Sequence, residues 1–230
     1  MSIAENIIEV QNRIEIAAKK SGRNAKDITL VAVSKNVEIP FIQEAVDFGL
    51  TEFGENRPQE IRDKSKIITN VKWHQIGQLQ TNKIKYVAGK TKLIHSVDSL
   101  KLMEEIERFC KAHNITQDIL LQVNISNETS KSGMDIDEVE KMLEFAEKMD
   151  YVKVKGLMTI GSLYADLEEN KKYFEICNKL FVDISRKKYD NISMEYLSMG
   201  MSGDFEAAIE MGSNMVRVGT SIFGKRNYNI

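Results

Sequence analysis

Residues 197–226, LSMGMSGDFEAAIEMGSNMVRVGTSIFGKR, carry more information than any other part of this chain. They parse as strand, small-residue corner, helix, strand, small-residue corner. The first corner is Ser198-Met199-Gly200-Met201-Ser202-Gly203 and the second is Gly219-Thr220-Ser221. Glycines and hydroxyls after two successive strands let backbone N–H groups close on an anion, and a helix N-terminus favours negative charge. In an eight-stranded barrel this is the usual place for a phosphate. Arg217, just before the second corner, adds a cation.

The same alternation continues outward from that stretch to the start of the chain. Ser2 and Glu5 have the spacing of a capping box, followed by apolar positions at Ile3, Ile7, Val10, Ile14 and Ala17 and a stop at Gly22. Residues 28–33 are an almost continuous apolar run, as expected for a parallel strand buried on both faces. Further strands are expected at 51–53, 72–76, 93–95, 119–124, 152–158, 194–198 and 215–218, with helical stretches between them. Eight strands separated by helical segments, with one helix in front, predict a single α/β domain over residues 1–230. Its fold class is a (β/α)8 barrel of the TIM type, with an N-terminal helix preceding the first strand. An open doubly wound sheet would place G-x-G-x-x-G after the first strand, and residues 34–39 contain no glycine.

Bulk composition excludes several classes. Of 230 residues, 42% are hydrophobic and 29% charged, which suits a chain with a full core. Lys+Arg 32 against Asp+Glu 34 gives a net charge of −2, so no basic field marks a nucleic-acid binder. No run approaches the roughly 20 apolar residues of a membrane span, and the N-terminus lacks the apolar core of a secretory signal. Cys110 and Cys177 lie far apart in amphipathic stretches and read as reduced packing residues of a cytoplasmic protein. His74, His95 and His113 show no metal-ligand spacing.

In such a barrel the functional groups project from the carboxyl ends of the strands. Almost every expected end is polar or glycine: Ser34-Lys35-Asn36, Gly54-Glu55-Asn56, Gly77-Gln78, Ser96-Val97-Asp98, residues 124–127, Thr159-Ile160-Gly161, and the two corners. Lys35 follows directly on the apolar run LVAVS. It is either a snorkelling rim lysine or a nucleophile. A free lysine is neutral in only about one molecule in two thousand at pH 7, and only the neutral amine attacks an aldehyde. Desolvation and a nearby cation both favour that form. The phosphate corner across the barrel shifts the reading towards a Schiff-base lysine. His74, between Trp73 and Gln75, is either a satisfied core histidine or a ligand contact.

Several blocks occur together and in order: VAVSK at 31–35, FGEN at 53–56 with Gln59-Glu60, and WHQIGQLQTNK at 73–83. IHSVDS at 94–99, QVNISNETSKSG at 122–133, GLMTI at 156–160, LSMGMS at 197–202 and VRVGTSIFGKR at 216–226 follow. In these the chain resembles the pyridoxal phosphate homeostasis proteins (the YggS/PROSC family), whose barrel is like that of alanine racemase, fold type III. The resemblance implies a pyridoxal 5′-phosphate binding protein of vitamin B6 homeostasis that holds its cofactor as a lysine aldimine on Lys35 and supplies it to apo-enzymes. It also implies that Ser198, Ser202, Gly219 and Thr220 hold the phosphate, that Arg217 faces the pyridine nitrogen, and that Asn56, His74 and Met199 lie beside the ring. Where the family often has Tyr-Val after FGEN, this chain has Arg57-Pro58, which puts a second cation near the mouth.

An arginine at the pyridine nitrogen can only donate to it, which weakens the ring as an electron sink. Alanine-racemase relatives add a β-rich domain that carries a catalytic tyrosine across a dimer; the chain stops after its eighth strand. Both points favour a non-catalytic, monomeric carrier. The alternatives are an amino-acid racemase or related fold-type-III enzyme and, more remotely, a barrel enzyme acting on a phosphorylated metabolite without this cofactor.

Overall fold

A computed structural model of the protein describes residues 2–126, 128, 132–162 and 164–224. Asn127, residues 129–131 and residues 225–226 of the blocks quoted above lie outside the described residues. Eight strands form: β1 (Thr29–Val33), β2 (Glu52–Glu55), β3 (Lys72–Gln75), β4 (Leu93–Val97), β5 (Gln117–Gln122), β6 (Val152–Met158), β7 (Ile192–Ser198) and β8 (Met215–Val218). All pair in parallel in chain order, and β8 closes on β1 with Thr29 opposite Met215 and Ala32 opposite Val218. The expected (β/α)8 barrel is therefore the fold.

The helices are α1 (Ile3–Lys20), α2 (Ile39–Asp47), α3 (Pro58–Lys64), α4 (Leu100–His113), α5 (Ile136–Ala146), α6 (Leu167–Ser185), α7 (Phe205–Glu210) and α8 (Thr220–Phe223). Between β3 and β4 a 3₁₀ segment, Thr81–Tyr86, stands in place of an α-helix. The expected strands correspond one to one with the observed strands, with shifted edges. β2 runs on through Gly54 and Glu55 because both pair with β3, Glu55 lying opposite Gln75.

Alternation along the strands produces two cores. Ala32, Phe53, Ile94, Ile119, Leu157 and Val218 face the helices and join the main apolar cluster. Val31, Leu93, Leu120, Met158 and Met215 form a smaller apolar layer inside the barrel. Each such side chain contributes roughly 1.5–3 kcal/mol on burial. Gly156 is required where β6 and β7 shift register: at its φ of +144° an added Cβ would sit 1.8 Å from the Tyr196 carbonyl oxygen.

Ser2 caps α1 as the spacing predicts. Its Oγ accepts from Glu5 N–H at 3.2 Å, and Glu5 Oε2 accepts from Ser2 N–H at 2.8 Å. The buried face Ile7, Val10, Ile14, Ala17 and Ala18 seats α1 on α7 and α8. Asn6 Nδ2 donates to the Ile222 carbonyl at 2.8 Å and Arg13 pairs with Glu206 at 2.6 Å, so the first helix fastens the last two.

Cys110 on α4 and Cys177 on α6 are buried free thiols, and burial pushes them up to about 11 and about 12. Only the thiolate reacts with disulfide reagents. At pH 8, Ellman's reagent is expected to label neither cysteine in the native protein and both upon unfolding in guanidinium. Labelling of the folded protein at the rate of a free thiol would contradict this packing.

Candidate functional site at the barrel mouth

A cavity of about 500 Å³ opens at the carboxyl ends of the strands. The end of β1 supplies Val33, the turn after it supplies the partly buried Lys35, the loop after β2 supplies Asn56, and the loop after β3 supplies Gly77 and Gln78. Gln122 and Asn124 come from the end of β5, and Ile160 follows β6. The adjoining wall is Met201-Ser202-Gly203 after β7 and Arg217, Gly219 and Thr220 at the end of β8.

The two small-residue corners are stitched together by Ser202. Its Oγ accepts from Gly219 N–H at 3.2 Å and Ser221 N–H at 3.4 Å. Gly200 makes the first corner possible at φ +94°, and its carbonyl accepts from Arg217 N–H at 3.0 Å. The backbone amides of Ser202 and Gly203 have no protein acceptor among the described residues. They are donors placed beside Thr220 on a curved wall, which is how backbone binds an anion. α8 is only four residues long, so this cup works through individual amides and hydroxyls rather than through a helix dipole.

Beneath the cavity, a polar column crosses the barrel interior. Glu52 Oε2 lies 2.7 Å from His74 Nε2, His74 Nδ1 lies 2.9 Å from His95 Nε2, and His95 Nδ1 lies 3.0 Å from Ser198 Oγ. Arg217 Nη1 donates to the same Oγ at 2.6 Å, and Nη2 donates to the Thr159 carbonyl at 3.0 Å. Burial works against ionisation of Glu52, but hydrogen bonds from His74, Lys72 and Lys92 outweigh it and bring the carboxyl down to about 2. Burial holds His74 below the ordinary imidazole value, with Glu52 opposing, and holds His95 well below it, reinforced by His74 and Arg217.

Two neutral imidazoles have one N–H each, and this sets every proton in the column. The ionised Glu52 can only accept, so His74 carries its proton on Nε2. Its bare Nδ1 then accepts from His95 Nε2–H, and the bare Nδ1 of His95 accepts from the Ser198 hydroxyl. Ser198 in turn accepts from Arg217. All donors point down the column towards Glu52.

Burial pulls Arg217 down to about 10, so it is still a cation at neutral pH. Its two protein acceptors leave further donors of its five N–H groups for the cavity it lines.

A family model, the alanine racemase N-terminal domain, matches residues 7–227. The pyridoxal phosphate homeostasis protein of Aquifex aeolicus is 39% identical over 230 residues, which cover 99% of this chain and 100% of that one. The chain belongs to the pyridoxal phosphate homeostasis protein family. Among solved structures, PipY of Synechococcus elongatus with PLP bound superposes with a TM-score of 0.84 at 30% identity, over 97% of this chain and 100% of that one. Alanine racemase of Clostridium difficile 630 superposes at 0.70 with 14% identity, over 99% of this chain and 61% of that one, and shares the fold.

Of the site residues named for the family, the structure brings Lys35, Asn56, Ser202, Arg217, Gly219 and Thr220 together on one cavity wall. It does not bring His74, Ser198 or Met199 there. All three are fully buried, and the hydroxyl of Ser198 is already bonded to Arg217 and His95. His74 is the satisfied core histidine, held at both nitrogens. Arg57, the N-cap residue ahead of Pro58 at the start of α3, is exposed and lies outside the cavity wall. Glu52, His95 and Thr159 belong to the column, and the individual sequence blocks gave no sign of this. The available signal was strand parity, which puts Leu93 and His95 of β4 on the same inward face.

Proposed function

We propose that this protein binds pyridoxal 5′-phosphate at the barrel mouth, holds it covalently at Lys35, and serves vitamin B6 homeostasis as a carrier that supplies apo-enzymes. The observation that supports this reading is a single cavity shared by a half-buried lysine, an anion cup and a buried arginine. The residues fit such a group. The amides of Ser202 and Gly203 and the hydroxyl of Thr220 suit a phosphate, Lys35 offers the amine, and Arg217 offers a donor to a ring nitrogen. When bound, the cofactor supplies an aldehyde that an amine attacks and a ring nitrogen that accepts a hydrogen bond. Arg217 is fixed by Ser198 and the Thr159 carbonyl, so it donates without releasing a proton. The buried thiols suit the reducing cytoplasm, and no described helix is long and apolar enough to cross a membrane.

The carrier reading is favoured over a racemase by what faces Lys35. Racemisation needs proton transfer on two faces of the substrate carbon. Among the described residues lining the cavity, Lys35 and Arg217 are the ionisable ones, and Arg217 is committed as a donor. Borohydride treatment of the cofactor-loaded protein is expected to fix a phosphopyridoxyl group on Lys35, mapped by peptide mass spectrometry. An unmodified Lys35 in saturated protein would overturn the reading. Incubation with single-enantiomer amino acids is expected to give no turnover at enzyme-like rates, and turnover at such rates would favour the racemase.

A further inference from the structure

Behind Lys35, on the side away from the cavity, lies a buried ion cluster that the proposed function does not use. Glu55, fully buried at the end of β2, accepts on Oε1 from Ser34 Oγ at 2.6 Å and from Lys64 Nζ at 2.8 Å. The same ammonium donates to the Ser34 carbonyl at 2.8 Å and to Glu60 Oε2 at 2.8 Å. Glu60 Oε2 also accepts from Asn36 N–H at 2.9 Å. The Ser34 carbonyl belongs to the peptide before Lys35, and the Asn36 N–H belongs to the peptide after it. Asn36 holds a left-handed φ of 56°, so the chain turns sharply just past the lysine and needs that anchor.

We propose that Glu55, Lys64 and Glu60 form a positioning clamp for Lys35, gripping the peptides on both sides of it so that its amine is aimed into the cavity. This rests on the reading of Lys35 as the covalent attachment point. Two carboxyls and one ammonium leave an excess negative charge in an apolar setting. The remaining oxygens, Glu55 Oε2 and Glu60 Oε1, are buried without a hydrogen-bond donor. One proton on Glu55 makes the cluster neutral. Burial pushes Glu55 up to about 7, with Lys64 and Ser34 opposing and Glu60 reinforcing. The groups facing it are Ser34 just after β1, Glu60 and Lys64 of α3, and the uncharged Gln75 of β3. Loss of the Glu55 proton above about pH 7 therefore loads the clamp with unbalanced charge.

The test uses the full-length protein in three arms. Hydrogen exchange at the Asn36 amide, in cofactor-free protein, is expected to speed by at least about tenfold in Glu60→Ala; unchanged exchange overturns the clamp. Covalent capture of pyridoxal 5′-phosphate at Lys35, followed by borohydride quenching, is expected to slow by at least about tenfold in Lys64→Met and Glu55→Gln. The affinity for pyridoxine 5′-phosphate, which has no aldehyde, is expected to stay within twofold. The wild-type capture rate is also expected to bend near pH 7, and Glu55→Gln to lack that bend. Capture at the wild-type rate in both variants, or parallel loss of capture and pyridoxine 5′-phosphate binding, overturns the clamp. Absence of any Lys35 adduct in wild type overturns the attachment reading instead, and leaves the exchange result to decide whether the peptides are gripped.

Discussion

Lys35→Ala is expected to abolish the absorbance of covalently bound pyridoxal phosphate while leaving a weaker, phosphate-dependent affinity. Among the described residues that line the cavity Lys35 is the one amine, and the anion cup is built separately from Ser202, Gly203 and Thr220. The two contributions come from different strands, β1 against β7 and β8, so removal of one does not dismantle the other. Affinity is expected to fall by more than about tenfold, or 1.4 kcal/mol, measured by fluorescence or calorimetry against inorganic phosphate as competitor. The variant should melt close to wild type, because a half-exposed side chain is lost rather than a core residue. Retention of the absorbance would show a different attachment residue. Complete loss of binding in a folded variant would show that the cup does not act independently.

Glu52→Ala is expected to destabilise the protein by about 3 kcal/mol without touching the cavity. Glu52 is the single terminal acceptor of the column. Its removal leaves the Nε2–H of a fully buried His74 without a partner, and leaves Lys72 and Lys92 unpaired at the barrel floor. For a chain of this size the melting temperature should drop by roughly 6–12 °C. Glu52→Gln should cost less, because its amide oxygen can still accept from His74. A Glu52→Ala melt within a degree of wild type would mean that the column carries no stability.

The same column fixes the acid response of the wild type. The folded values of His74 and His95 lie below the unfolded value of 6.5, so the unfolded chain takes up protons first and stability starts to fall as pH drops through about 6.5. Glu52 is depressed from 4.5 to about 2, so its contribution is full above pH 4.5 and is lost as pH falls through about 2. Urea melts between pH 7 and pH 4 should show the histidine part of this slope, and a His95→Leu, His74→Leu double variant should flatten it. An equal slope in both proteins would place the acid sensitivity elsewhere.

Much of this was legible in the chain. The strand count, their parallel order and the mouths at residues 34–36, 198–203 and 219–221 follow from apolar runs ending in glycine and hydroxyl residues. That pattern is local, because a strand buried on both faces is mainly apolar and turns to glycine and polar residues where it leaves the barrel. Lys35, Ser202, Arg217, Gly219 and Thr220 could therefore be named before any contact was known.

Side-chain destination was not legible. Ser198 and Ser202 are four residues apart in one glycine-rich corner, yet one ties Arg217 to His95 inside the barrel and the other ties Gly219 at the rim. Likewise, His74 and His95 are 21 residues apart, and Glu55 and Lys64 belong to different elements. Whether a polar residue meets ligand or another buried polar group depends on strand register and on closure of β8 onto β1. The sequence by itself determined the barrel and which residues stand at its mouth. Only the tertiary structure decided which of them face the cavity, because that depends on which partner satisfies each buried hydrogen bond across strands distant in the chain.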